Sequence, residues 1–379
     1  MSDAVLRRID WILFVLILPI LGAGLIAMKS FSSADSAAVG LSFFERQLIW
    51  IGVSFVIFFV FSFIDFRFLK QTKVLVPIFL FFSSLLILLF ILGRAFKGAH
   101  SWFNLGAFAF QPSDMMKLVL ILLLSKYFSR RHIEIAHLKH IFISGLYTFI
   151  PFVLILIQPN FGDAIIIFFI WLGMVFVSGI SKKHLLVVFL LSITCFSMLW
   201  LFVFKPYQKE RILTFVHPLT HIQGSGYNVY QSTIAVGSGR VLGKGVGFGT
   251  QSRLNFLPEN QTDFIFASFA EEWGFIGVIM ILLLYGLVIW RILSSALIGA
   301  TNFEMLFGMG VAILFMSQIT VNIGMNIGLL PVTGVTLPFM SYGGSHLITE
   351  FMALGILMGM RRYGRVAHRD DMKNEFLGI

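Results

Sequence analysis

Long apolar runs, separated by short polar or basic segments, dominate this chain. Six of them carry no Asp, Glu, Lys or Arg: Trp11–Met28, Leu48–Ile64, Val74–Gly93, Ile141–Ile157, Leu185–Phe204 and Met305–Leu330. A hydrocarbon core about 30 Å thick takes ~20 apolar helical residues to cross, so each run predicts a transmembrane helix. Four further runs hold isolated charges: Pro112–Phe128 with Asp114, Lys117 and Lys126, Phe161–Ile180 with Asp163, Phe264–Trp290 with Glu271 and Glu272, and His346–Met360 with Glu350. The pattern predicts an all-α integral membrane protein of about ten transmembrane helices, with residues 1–379 forming one polytopic membrane domain.

Composition excludes the soluble alternatives. The 379 residues are 58% hydrophobic and only 12% charged, about half the charge of an average soluble domain. Too little polar surface remains to cover a soluble globule of this size. The net charge of +10 invites a nucleic-acid reading, but its distribution answers otherwise. With the N-terminus inside, 17 of the 28 Lys and Arg fall on inner connections and tails, among them Arg7, Arg8, Arg67, Lys70, Lys126, Arg130, Lys182, Lys183 and Arg361. The short outer connections and their flanks hold only Lys29, Arg46, Arg94, Lys97 and Lys117. The positive-inside rule therefore places both termini in the cytoplasm, with the excess charge facing anionic lipid and no nucleic acid required. Arg7 and Arg8 ahead of an 18-residue uncharged stretch predict a retained signal anchor rather than a cleaved signal peptide.

Between the seventh and eighth runs lies one large extracytoplasmic loop, about 205–262, without obvious secondary structure; loops this long are uncommon and usually functional. It holds the glycine-rich segment Gly237–Gly249, which fails the Walker pattern because Ser238 stands in the first glycine's place and Gly245 follows Lys244. A weaker possibility stays open, a backbone anion site beside Lys244, Arg240 and Arg253; the alternative is a plain surface loop.

Intramembrane carboxylates are costly and are candidates by default. Asp263 opens the eighth run, where an ordinary helix N-cap is the competing explanation. Glu271 and Glu272 sit two turns deeper and require a partner or a wet cavity, as do Asp163 and Glu350. Lys117, three residues after Asp114, shares a helical face with it and reads either as a local ion pair or as a cation held for a phosphate. His217 and His221, separated by Pro218 and Thr220, do not make a zinc-protease helix, His132, His137 and His140 lie in a basic inner loop, and the single Cys195 excludes a disulfide framework. No metal site is indicated. These residues fit an anionic amphiphile processed at the outer face, and fit transport across the bilayer nearly as well.

Three stretches together resemble one family, the SEDS proteins (RodA, FtsW and SpoVE). They are Gly237–Gly249 running on through Thr250–Glu259, Thr262–Ala267 and Glu271–Gly274; Asn322–Pro331, Gly334 and Ser341–Ser345; and Gly98–Trp102 with Gln111–Asp114 and Lys117. The run Thr250–Ala267 is more similar to the RodA branch. Departures from the family's pattern fall at Ser101, Asn160, Asp163 and His346. The resemblance implies a peptidoglycan glycosyltransferase that polymerises lipid II, works with a class B penicillin-binding protein and other elongation-complex proteins, and leaves room for a divalent cation. It implies Asp263 as the catalytic base, Lys117, Arg94, Lys244, Arg253, Gln251 and Glu259 as substrate-binding residues, and Glu271, Glu272, Asp114, Ser341, Gly343 and Gly344 as shapers of the cavity. A lipid II flippase and a non-catalytic scaffold are the rival expectations.

Overall fold

The computed structural model describes residues 9–31, 41–92, 102–104, 109–130, 138–179, 182–204, 206–216, 226–254, 256–299 and 301–377. Arg94, His132, His137, His217 and His221 lie outside them. A helix occupies each of the ten apolar runs: α1 (Trp11–Phe31), α2 (Phe43–Phe63), α3 (Thr72–Leu92), α4 (Pro112–Ser129), α5 (Leu138–Ile157), α6 (Phe161–Val177), α7 (Lys182–Met198), α11 (Ile265–Leu297), α12 (Asn302–Asn326) and α13 (Gly344–Leu377). Six of them, α1, α2, α3, α5, α11 and α12, are long and apolar enough to cross a membrane.

Local chemistry sets the helix ends. Ser42 and Glu45 form a reciprocal capping box at the start of α2. Pro112, which needs no amide partner, opens α4. Asn160 Oδ1 accepts from the Asp163 amide and caps α6, three residues after α5 ends at Ile157. A five-residue 3-10 turn, Phe66–Lys70, joins α2 to α3. The segment before α4 adds a two-residue antiparallel pair, β1 (Phe103–Asn104) with β2 (Ala109–Phe110), a small exception to the all-helical expectation.

The helices pack as a layered bundle. α13 lies along α2, α11 runs against both α12 and α1, and α12 also contacts α4 and α6. α12 is the interior helix: 67% of its apolar window is buried, against 28% for α2 and α3. Its Glu304, Gln318, Asn322 and Asn326 therefore face protein, whereas Ile12, Val15, Leu80, Phe90, Leu283 and Trp290 on the outer helices are exposed where lipid would cover them.

The 205–262 loop differs from the structureless expectation. It folds into α8 (Pro206–Val216), α9 (Tyr227–Ser238) and the single turn α10 (Thr250–Arg253), and α9 packs on α11. Loop and bundle meet at a break that the apolar pattern does not disclose: Gly274 inside α11 has φ 65° and ψ −166°.

Candidate active site

Asp263 is half-buried and stands just outside α11. The N-cap position of α11 is Phe264, not Asp263, and Phe264 makes no side-chain cap bond. Asp263 is held through its backbone. Asn322 and Asn326, one turn apart on α12 and so on one face, each donate from Nδ2 to the Asp263 carbonyl at 3.0 Å. Both are fully buried. Asn322 Nδ2 also donates to the Val335 carbonyl at 2.7 Å, and Asn326 Oδ1 accepts the Ala267 amide at 3.1 Å. Ser232 on α9 donates to the Asn326 carbonyl at 2.8 Å, tying the loop to the same point.

Neighbouring residues complete the clamp. Ser341 Oγ donates to the Thr262 carbonyl at 2.6 Å and receives the Leu337 amide at 2.9 Å, while the Tyr342 amide donates to the Gln261 carbonyl at 2.8 Å. The Glu259 carbonyl, on a left-handed residue at φ 52°, accepts the Thr262 and Phe264 amides at 3.2 Å. The Asp263 carboxylate lies alongside Gly334, where an added Cβ would stand 3.4 Å from Oδ2 and where φ is +77°. Gly343 and Gly344 act further out: the Gly343 amide donates to Gln47 of α2 at 3.2 Å, and a Cβ at Gly344 would strike the Trp50 ring.

A second polar cluster is buried between α4 and α6. Lys117 Nζ lies 2.9 Å from Asp114 Oδ1 and 2.5 Å from Asp163 Oδ1, and all three side chains are 10% exposed or less. Asp163 Oδ2 also accepts from Gln111 at 2.7 Å, Ser113 at 2.5 Å and Asn160 at 2.7 Å. The Asp114–Lys117 pair that the spacing foresees is present, but Asp163 is the hub. The two clusters meet at one segment. A Cβ on Gly162 would contact the Thr333 carbonyl, so the start of α6 abuts residues 333–335, whose Gly334 flanks Asp263.

Glu271 and Glu272 organise the loop. Glu271, with no exposed surface, takes Lys244 Nζ at 2.6 Å, Thr250 Oγ1 at 3.1 Å and the Gln251 amide at 3.1 Å. It thereby caps α10 from the other chain segment. Glu272 Oε1 accepts the Gly247 amide at 3.0 Å. The glycine-rich segment is not an open anion nest: the Lys244 and Gly245 amides donate to the Glu271 and Glu272 carbonyls at 3.0 Å, and the Phe275 amide donates to the Arg240 carbonyl at 2.9 Å. Its glycines allow backbone-on-backbone contact. A Cβ at Gly239 or Gly243 would fall about 2 Å from the Ala270 or Glu272 carbonyl oxygen.

Arg253 is exposed at the end of α10, and Gln251 Oε1 is buried. Glu259 is exposed, with Thr262 Oγ1 3.3 Å from its carboxylate. Among the described residues no three His, Cys, Asp or Glu side chains are grouped to hold a metal ion. Ser232 is the contributor that sequence reasoning did not name, and Asn326 entered only within a motif stretch, with no role attached. For Asn326 the available signal was its i,i+4 spacing from Asn322 on an otherwise apolar helix.

A bundle of apolar helices with interior amide and carboxylate clusters defines a multi-pass membrane protein. The model of the family described as "Cell cycle protein", that of FtsW, RodA and SpoVE, matches residues 8–366. The chain belongs to this family. Stage V sporulation protein E of Bacillus subtilis (strain 168) is 36% identical over 362 residues, 94% of this chain and 98% of that one. Peptidoglycan glycosyltransferase MrdB of Escherichia coli (strain K12) is 39% identical over 274 residues, 72% and 74% of the two chains. A chain of the structure described as "Structural coordination of polymerization and crosslinking by a peptidoglycan synthase complex" superposes with a TM-score of 0.78 at 32% identity, covering 94% of this chain and 98% of that one. The rod shape determining protein RodA of Thermus thermophilus superposes with a TM-score of 0.68 at 30% identity, covering 93% and 97%.

Proposed function

We propose that this chain is a peptidoglycan glycosyltransferase of the cytoplasmic membrane that polymerises lipid II on the outer face. The observation that carries the reading is Asp263, a half-buried carboxylate just ahead of α11, positioned by two buried asparagines through its own carbonyl. Glycan transfer needs such a group. As the acceptor's 4-hydroxyl oxygen bonds to the anomeric carbon, its proton passes to the Asp263 carboxylate and the bond to the diphosphate oxygen breaks. Undecaprenyl diphosphate leaves with the bonding pair, and a cation offsets its developing charge. Arg253, exposed on α10, is a candidate cation among the described residues. Lys117 and Lys244 reach a diphosphate only by exchanging the carboxylates they now hold, so their first role is to fix α4, α6 and the loop.

The likeness to the rod shape determining protein RodA and the RodA-like run Thr250–Ala267 support a role in elongation and cell shape. A class B penicillin-binding protein would supply crosslinking, as the synthase complex among the structural neighbours suggests. A second reading, lipid II transport, draws on the buried Asp114–Lys117–Asp163 cluster. The two separate by experiment. Wild-type protein with its transpeptidase partner blocked at crosslinking is given labelled lipid II in detergent, and glycan strands are resolved on a gel. Strands support the transferase. Their absence beside an active control polymerase, together with lipid II scrambling in liposomes, supports transport.

A further inference from the structure

At the far end of α12 from Asp263, a cavity of about 370 Å³ is lined by Lys70, Lys126, Arg130, Ser129, Asn302 and Phe303, with Thr301 at its rim. From Asn302 to Asn322 the helix rises about 30 Å, the thickness of a bilayer core. The cavity therefore opens at the membrane face opposite the proposed active site. Three chain segments build it: the end of the 3-10 turn, the last turn of α4 and the start of α12.

Among the described residues its charge is unbalanced. Lys70 pairs with Glu304 at 2.8 Å. Lys126, only 7% exposed, donates to the Thr72 hydroxyl at 2.7 Å and has no carboxylate among the described residues; Arg130 likewise has none. Cations in the last turn of α4 complement that helix's dipole, which accounts for their being at a helix end but not for Lys70 converging on them across the cavity. The opening turn of α12 adds a positive dipole end, and its N-cap Thr301 makes no side-chain bond to the first amides. A buried ammonium facing a polar cavity is stabilised by an anion that enters from outside. Asn302 supplies a neutral donor at the wall, while the Ser129 hydroxyl donates to the Lys126 carbonyl at 3.0 Å.

We propose that this cavity binds a phosphate group, carried by an anionic lipid headgroup or by a soluble phosphate. Either source would meet the same donors, and the lipid would reach the cavity along the exposed apolar faces of the neighbouring helices. The site is separate from the transferase chemistry, so its test does not depend on that reading.

The test uses the full-length protein in detergent and in phosphatidylcholine nanodiscs with or without phosphatidylglycerol. Native mass spectrometry counts retained lipid, and thermal melting reports stabilisation. Phosphatidylglycerol is expected to be retained over phosphatidylcholine and to raise Tm. Arg130→Gln, at an exposed position, is expected to weaken retention about fivefold, and Lys126→Gln by more. Displacement of the lipid by millimolar inorganic phosphate, or stabilisation by phosphate alone, identifies the soluble source; insensitivity to phosphate identifies the headgroup. Equal retention of the two lipids with no effect of phosphate overturns the proposal. So does wild-type phosphatidylglycerol affinity in a folded Arg130→Gln protein.

Discussion

Asn322 and Asn326 hold the Asp263 carbonyl from the interior helix and so help to set where its carboxylate stands. A buried asparagine is tolerated only when its amide is satisfied, and Asn326 also accepts the Ala267 amide. Replacing it with Ala leaves buried groups unpaired, at a cost of about 1–3 kcal/mol, and frees the Asp263 backbone to drift. Displacing a catalytic group by about 1 Å costs up to ~100-fold in rate. Asn326→Ala is therefore expected to lower kcat for glycan polymerisation at least tenfold with KM nearly unchanged. An equal rise in KM would instead mark loss of substrate binding. Asp263 itself was legible as a candidate in the sequence. Its supporting shell was not, because an Asn in an apolar run gives no sign of which carbonyl it will find.

At the scale of elements, the glycine-rich segment and the break in α11 explain each other. Gly243, at φ +80°, lies where a Cβ would overlap the Glu272 carbonyl, and Gly274 abuts the Gly243 amide from the other side. The sequence showed the glycines but left two readings of them, an anion nest or a loose loop. The partner that decides between these is contributed about thirty residues later, and only folding brings it near. Conversely, the continuous apolar run Phe264–Trp290 concealed the kink, since hydropathy carries no information on φ. Gly243→Ala is expected to loosen this docking at a strain of roughly 1–3 kcal/mol. Limited trypsin digestion should then cut after Arg240 or Lys244 several-fold faster than in wild type, with the membrane helices intact. Unchanged cleavage would show that the two backbones do not need their close approach.

Over the whole molecule, the helices were legible because membrane spans announce themselves by length and apolarity. Their mutual packing was not, since α4 and α12 became interior through contacts that hydropathy does not encode. One long-range tie closes the bundle. Asp10, ahead of α1, pairs with Arg291 of α11 at 2.7 Å and with Arg361 of α13, and is 3% exposed. Burial alone would raise its carboxyl pKa, but the hydrogen bond from Arg291 and the charge of Arg361 outweigh this and hold it below the usual 3.8. A depressed value means that Asp10 contributes its stability in full above that usual value, and loses it as pH falls through the folded one. Asp10→Asn should therefore lower Tm at neutral pH and show a shallower loss of Tm below about pH 4 than wild type. Parallel Tm profiles for the two proteins would deny Asp10 this role.

The central claim is that Asp263 takes the acceptor's proton. Single-turnover polymerisation of labelled lipid II by Asp263→Asn tests it most directly, with the transpeptidase partner bound but blocked. Asn keeps the size and the backbone clamp and removes only the basicity. The expected result is a rate at least about a hundredfold below wild type, with melting temperature and partner binding unchanged. A folded, partner-bound Asp263→Asn protein that makes glycan strands at close to the wild-type rate would contradict the account.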